Sequence, residues 1–367
     1  MQLLKVMILM KNRMNTIMEK LKNNKVLLGL SGGVDSTSAA LLLKEKGFEV
    51  YGYYFDVMGN NETGKREAQE VADQLGIELV IEDVSAEFEE KIIGNFIDEY
   101  ISGRTPNPCV VCNPLIKFKK LIECADRMGI YFIATGHYCR IVADGKTGNF
   151  YVRKAANAKK DQSYMLYRLG QDVLKRLIFP LGEFLDKDEI RSLARDNNLQ
   201  NADKKDSQEI CFIDDEVGYA KYISDLGYKA KPGKFVDKDG KVLGEHKGII
   251  NYTIGQRKGL GIAIGKPAFV TKIDAKNNQV VIGDNADLFT TEVVCSDYSF
   301  AADDARNYDG KTIMAKVRYS AQPTEATLKV DDKNITATFE VPQRAATPGQ
   351  SIVFYEDEKV IGGGFIE

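Results

Sequence analysis

No run of apolar residues in the 367-residue chain approaches the roughly 20 needed to cross a bilayer, which excludes a helical membrane protein. Cysteine is scarce: six thiols, Cys109, Cys112, Cys124, Cys139, Cys211 and Cys295, are too few for a disulfide scaffold and fit a reducing, cytoplasmic setting. The two histidines, His137 and His246, stand alone and no second Cys-x-x-Cys pair exists, so no zinc site or dedicated metal cage is expected. The apolar stretch 3–10 is short, interrupted by Lys5 and followed by no small-residue cleavage pattern, so it does not read as a secretory leader. Residues 1–24 read as an extension outside the core, with Met14 or Met18 as alternative starts; a short amphipathic helix is the second reading. A surplus of positive charge is missing too. The 50 Lys and Arg stand against 53 Asp and Glu, a net charge of −3, which by itself speaks against a dedicated nucleic-acid binder.

What is present suffices for two to three domains. A short apolar run at 26–30 leads through Ser-Gly-Gly into a helical pattern at 38–46 stopped by Gly47. Strand patterns at 49–57, 78–84 and 131–135 then alternate with helical ones at 65–75, 88–101 and 115–128. Such alternation predicts an α/β domain with a parallel, Rossmann-like sheet covered on both faces. Beyond residue 215 the period shortens toward two, with short segments at 268–273, 279–282, 312–317, 325–330, 335–339 and 351–355 between Asp, Asn, Gly and Pro turns. The expected division is an α/β catalytic domain at 25–216, a small Gly- and Lys-rich central module at 217–285 and an antiparallel β-barrel at 286–367.

Gly29-Leu30-Ser31-Gly32-Gly33-Val34-Asp35-Ser36 joins the first strand to the first helix. Its glycines bring backbone N–H groups close to an anion, and Ser31 and Ser36 add hydroxyls at the positive end of the helix dipole. The loop lacks the Gly-Lys-Ser/Thr ending of P-loop kinases and the spacing of the dinucleotide fingerprint, so neither γ-phosphoryl transfer nor NAD binding is expected. It resembles instead the pyrophosphate-binding loop of the PP-loop ATP pyrophosphatases, whose members activate a substrate oxygen as an adenylate. A Ser/Gly-rich turn with an ordinary helix cap is the bland alternative.

Residues 104–113 read Arg-Thr-Pro-Asn-Pro-Cys-Val-Val-Cys-Asn, and a further thiol lies in Ser207-Gln208-Glu209-Ile210-Cys211-Phe212-Ile213. Pro106 and Pro108 predict a stiff, non-helical lip that places its cysteines for access. Together with Thr135-Gly136-His137-Tyr138, Lys160-Asp161-Gln162-Ser163-Tyr164 and 255–261 (GQRKGLG), these motifs resemble, in order, the tRNA-specific 2-thiouridylase family from about residue 25 onward. The resemblance implies ATP-dependent adenylation of uracil O2 at the wobble position of tRNAs for Lys, Glu and Gln, and its replacement by sulfur. It implies that Cys211 carries a persulfide and that Cys112 is the nucleophile, the two closing a transient disulfide. Thiols in these roles react as thiolates, and nearby Lys or Arg would lower their pKa.

Carried over residue by residue, the ATP site is Gly29, Leu30, Ser31, Gly32, Gly33, Val34, Asp35 and Ser36 with Phe55 and Gly136, and Mg²⁺ is expected with ATP. The tRNA is expected at Asn107, Pro108, Cys109, His137, Lys160, Asp161, Gln162, Arg318, Tyr319 and Gln350. Many members carry Asp where this chain has Cys109; the change opens a route to an iron–sulfur cluster on Cys109, Cys112 and Cys211, or to a resolving thiol, beside the persulfide route. Cys124, Cys139 and Cys295 read as packing residues. The sulfur donor would be a cysteine desulfurase or a carrier protein. Another PP-loop adenylating enzyme acting on a small molecule, or a non-catalytic RNA-binding module, are the competing functions.

The net charge hides segregation: −11 over 26–102, +8 over 103–160, −5 over 161–220, +6 over 221–285 and −6 over 286–367. The two basic blocks hold the proline–cysteine segment and the 255–261 loop, which leaves room for a tRNA despite the acidic total.

Overall fold

A computed structural model describes residues 24–367 except 198, 200–209, 215 and 263–264. The extension at 1–24 and the Ser207-Gln208-Glu209 part of the second cysteine motif therefore lie, but for Asn24, outside the described residues. Five strands, β1 (Lys25–Gly29), β2 (Glu49–Asp56), β3 (Leu79–Asp83), β4 (Phe132–Ala134) and β7 (Leu177–Ile178), form a parallel sheet in the order β3-β2-β1-β4-β7. Helices α1 (Val34–Glu45) and α2 (Glu62–Leu75) serve as crossovers. Alternation along β1 sends Val26 and Leu28 into a core shared with α1 and α2, and Leu27 into the core on the opposite face. The strand order reverses between β1 and β4, the place where open α/β sheets bind ligands at the carboxyl ends of their strands.

The prediction of a non-helical segment up to Cys109 needs correction. The extended backbone ends at Asn107, and Pro108 opens helix α3 (Pro108–Cys112), which continues through a π turn at Asn113–Lys117 into α4 (Phe118–Arg127). Proline at the first helical position forfeits no hydrogen bond, because that N–H has no partner within a helix. Cys109 and Cys112 thus stand on a helix, each half-buried.

Six antiparallel strands close the C-terminal barrel: β12 (Phe289–Phe300), β13 (Thr312–Lys316), β14 (Thr324–Val330), β15 (Asn334–Arg344), β16 (Ser351–Glu356) and β17 (Lys359–Ile366), with β12 pairing to both β15 and β17. A hairpin of the α/β region, β5 (Cys139–Ala143) and β6 (Phe150–Lys154), extends that sheet beside β17. Tyr164, Tyr167, Phe354 and Tyr355 fill one continuous core beneath the parallel sheet, the hairpin and the barrel. The intervening module is a separate four-stranded sheet, β8 (Gly233–Val236), β9 (Val242–His246), β10 (Phe269–Asp274) and β11 (Gln279–Gly283), around Phe235, Tyr252 and Val270.

Among the described residues no helix is long and apolar enough to cross a membrane.

Candidate functional site

A cavity of about 220 Å³ opens at the carboxyl ends of β1 and β4, lined by Gly29, Leu30, Ser31, Asp35, Ser36, Tyr54, Phe55, Lys117, Thr135, Gly136, His137 and Gln162. Gly32, Gly33 and Val34, also expected at the ATP site, shape the turn without lining the cavity. Gly32 has φ 74°, a left-handed conformation, and a Cβ there would sit 3.0 Å from the Glu67 backbone. Gly33 caps α1 in an extended conformation and offers no side chain to its first N–H groups. No side chain caps this helix start, and its N–H groups and dipole favour an anion. The Ser36 hydroxyl accepts from the Ser31 N–H at 3.2 Å and donates to the Gly33 carbonyl at 3.0 Å, holding the loop in shape. Tyr138 donates to an Asp35 carboxylate oxygen at 2.8 Å from across the cavity.

Phe55 walls one side and packs edge-on against Tyr53, with ring centroids 4.6 Å apart. Gly136 walls the other. A Cβ on Gly136 would stand 3.0 Å from the backbone of Asp35 and Ser36, atoms that cannot swing aside. Gly136→Ala is therefore expected to push the phosphate loop outward and weaken ATP binding at least tenfold with little change in melting temperature, as isothermal titration and thermal denaturation would read.

His137, expected at the tRNA, lines this cavity. Its Nδ1 lies 2.8 Å from the Thr135 hydroxyl, and burial first, then the Lys117 charge, holds its pKa well below the usual value, so the ring is neutral. Gln162 also lines the cavity, accepting the Tyr138 N–H at 2.9 Å. Asp161 is buried and fully employed by the fold: its carboxylate accepts the Ala155 and Ser163 N–H groups at 3.0 and 3.2 Å and the Ser163 hydroxyl at 2.8 Å. Lys160, half-buried, precedes it in the same turn.

This turn meets the barrel. The Lys316 ammonium lies over the rings of Tyr164 and Tyr319, at 5.7 and 5.4 Å, just before Arg318. Tyr319 is exposed, and the buried Arg318 Nε has no protein partner. Gln350 joins the barrel to the proline segment, donating through Nε2 to the carbonyls of Thr105 at 2.9 Å and Pro106 at 3.3 Å. Arg104 completes the clamp, reaching Glu99 at 2.8 Å, Glu367 at 2.9 Å and the Ile366 carbonyl at 3.0 Å. Asn107, half-buried, and Pro108, buried, are the next residues along and lead into Cys109.

The thiols converge on α3. Cys112 packs with Val111 against an apolar cluster that also receives Ile210, and the Phe212 ring is caged there by Phe88 at 5.5 Å and Phe96 at 5.4 Å. Anchoring both neighbours of Cys211 holds it within electrostatic reach of Cys112 while leaving it exposed. All six thiols are free; Cys124, Cys139 and Cys295 are buried. Burial raises the Cys112 thiol above its ordinary value. Cys211 is exposed by surface area, yet the dense protein around it decides its charge and pushes its thiol up to about 12; Lys117 opposes this, and Cys112 and Cys109 reinforce it. The sequence leads one to expect thiols lowered by nearby cations. Here one cation, Lys117, works against a larger cost of burial.

Lys117 is the residue the sequence analysis missed. Half-buried at the end of the π turn, it lines the cavity and also acts electrostatically on His137, Cys112 and Cys211.

The chain matches family models described as the tRNA methyl transferase HUP domain over residues 24–215, the tRNA methyl transferase PRC-barrel domain over 221–284 and the aminomethyltransferase beta-barrel domain over 290–366. It is 46% identical over 360 residues to the tRNA-specific 2-thiouridylase MnmA of Clostridium acetobutylicum, covering 94% of this chain and 100% of the relative. The chain belongs to the tRNA-specific 2-thiouridylase family. A 2-thiouridylase of Thermoanaerobacter pseudethanolicus, MnmA 1, is 43% identical over 361 residues, or 94% of this chain and 98% of the relative. Among solved structures, the U34-tRNA thiolase NcsA from Methanococcus maripaludis with its [4Fe-4S] cluster is 22% identical, with a TM-score of 0.35 over 56% of this chain and 66% of that one, a likeness too loose to bear on the chemistry. A 2-thiouridylase built on this HUP domain is an ATP-using tRNA sulfurtransferase by family.

Proposed function

We propose that this 2-thiouridylase adenylates uracil O2 at the wobble position of tRNAs for Lys, Glu and Gln, then replaces that oxygen with sulfur carried on Cys211. The observation that carries the reading is the shared wall: Lys117 borders the phosphate-loop cavity and acts on both reactive thiols, so nucleotide and sulfur chemistry meet at one point. The triphosphate fits the uncapped start of α1, with the adenine side against Phe55 and Gly136. Asp35 is the carboxylate on the cavity wall that would face its Mg²⁺.

Uracil O2 is a poor leaving group; bonded to the α-phosphorus of ATP with loss of pyrophosphate, it can depart as AMP. The outer sulfur of a Cys211 persulfide attacks C2 and AMP leaves. Cys112 thiolate then attacks Cys211 Sγ, breaking the S–S bond so that the sulfur stays on the base and a Cys112–Cys211 disulfide remains. The Lys117 charge offsets the negative charge that develops on phosphate and thiolate in turn. Asn107, Pro108, Cys109, Lys160, Arg318, Tyr319 and Gln350 form the surrounding surface on which the anticodon arm would rest. His137, Asp161 and Gln162 support it from within.

Three cysteines raise the question of an iron–sulfur cluster. Among the described residues no three His, Cys, Asp or Glu side chains are placed to share one metal ion, and the sulfur transfer above needs none. The sulfur would come from a cysteine desulfurase or a persulfide-carrying protein, and six free thiols suit a cytoplasmic enzyme. The deciding experiment measures pyrophosphate release from ATP with and without tRNA, followed by nucleoside analysis. Release that depends on tRNA and yields 2-thiouridine is expected; turnover without tRNA would favour a small-molecule PP-loop synthetase.

Because burial raises the Cys211 thiol to about 12, its thiolate fraction at neutral pH is smaller than that of a free cysteine. Alkylation of Cys211 in the tRNA-free enzyme should rise about tenfold per pH unit from 7 to 9 without levelling off, since only the thiolate reacts. A plateau below pH 8 in iodoacetamide kinetics would contradict that environment.

A further inference from the structure

Cys109 is the one thiol of the two cysteine motifs that the reaction above leaves without chemistry. It is separated from Cys112 by three positions on helix α3, and both are half-buried rather than sealed in the core like Cys124, Cys139 and Cys295. Residues three apart on an α-helix have Cα atoms about 5 Å from each other, from a 1.5 Å rise and 100° turn per residue. That spacing falls inside the roughly 4.4–6.8 Å that a disulfide bridges, so the pair can close without unwinding the helix. Cys109 also sits in the first turn of the helix, directly after the segment pinned by Gln350 and Arg104, and is partly exposed.

We propose that Cys109 is the resolving thiol of this enzyme, a role that rests on the persulfide reading above. After sulfur transfer, Cys109 thiolate attacks Cys112 Sγ in the Cys112–Cys211 disulfide. The Cys109–Cys112 bond forms as the Cys112–Cys211 bond breaks, and Cys211 departs as a thiolate that takes a proton; Cys109 is oxidised as Cys211 is reduced, so the exchange needs no outside oxidant or reductant. Cys211 is then free for the next persulfide. The oxidised Cys-x-x-Cys pair is reduced by an external dithiol, which supplies two electrons and two protons and becomes a disulfide itself. A carboxylate at position 109 could not do this, and such an enzyme would need its reductant to attack the Cys112–Cys211 bond itself.

The test uses the full-length protein loaded with sulfur from glutathione persulfide, mixed with ATP and substoichiometric tRNA, quenched with an alkylating agent and mapped by mass spectrometry. In the wild type the expected bond is Cys109–Cys112, with Cys211 alkylated. In Cys109→Ser it is Cys112–Cys211, and the ratio of steady-state rate under a dithiol reductant to first-turnover yield should fall about tenfold. Circular dichroism and thermal melting check that the variant folds. A wild-type protein trapped as Cys112–Cys211 with Cys109 alkylated overturns the proposal, as does an unchanged ratio, or Cys109→Asp with the wild-type ratio. Should Cys211→Ser still produce 2-thiouridine, the persulfide reading itself fails, and the two failures are thereby told apart.

Discussion

Cys211→Ser and Cys112→Ser are each expected to reduce 2-thiouridine formation by at least a thousandfold, while tRNA-dependent pyrophosphate release survives in both. A serine hydroxyl cannot carry a sulfane sulfur, and at position 112 it cannot accept the S–S bond that must break. On the proposed reading adenylation uses the uncapped start of α1 and the cavity walls at Phe55 and Gly136, and involves no covalent step at these thiols. The substitutions are close to isosteric, so the caged Phe212 and the packing of Val111 should hold the local fold. Nucleoside analysis beside a pyrophosphate assay makes the separation visible. Retention of near-full thiolation by either variant would remove that cysteine from its assigned step.

Lys117→Met should fail on both halves at once. Loss of one charged group directed at a developing anion costs on the order of 10²–10³ in rate, and here the same cation borders the phosphate cavity and offsets the burial of two thiols. The expected result is a drop of about a hundredfold in tRNA-dependent pyrophosphate release, together with slower alkylation of Cys112 and Cys211 at pH 8 because their thiolates lose a stabilising charge. Lys117→Arg keeps the charge and should recover part of both. A methionine variant with slow adenylation but unaltered thiol reactivity would confine Lys117 to the nucleotide.

The phosphate loop was legible because strand, glycine pair and helix lie within a dozen residues and each obeys a local rule. Lys117 was not. It stands among Lys119 and Lys120 on what reads as a solvated helix face, and the π turn at Asn113–Lys117 breaks the 3.6-residue register on which any assignment of faces depends. The two prolines misled for a related reason: Pro108 constrains φ to a value a helix start also requires, so stiffness alone could not decide between lip and helix. Strand β17 is absent from the segments expected from sequence, and Gly362-Gly363-Gly364 carries no strand signal. Its glycines are needed for closeness: a Cβ on Gly363 would lie 2.5 Å from the Ile352 carbonyl and 2.9 Å from the Tyr167 ring, and one on Gly362 would lie 2.6 Å from the Ser299 carbonyl. Three layers approach there in a way no propensity encodes.

The hairpin β5–β6 meets β17 at the pair Arg153–Lys359, where Lys154 donates its N–H to the Glu358 carbonyl at 2.9 Å and Arg153 and Arg140 converge on the Glu358 carboxylate. Deprived of the barrel, the α/β domain would present β6 as an unprotected sheet edge, strip Arg104 of its Glu367 and Ile366 contacts while it keeps Glu99, and leave the 105–106 carbonyls without Gln350. Such an edge is a template for pairing with a neighbouring copy. The barrel therefore acts as a built-in guard against self-association of the catalytic half, and a fragment ending near residue 215 should accumulate as aggregates rather than as a weak enzyme.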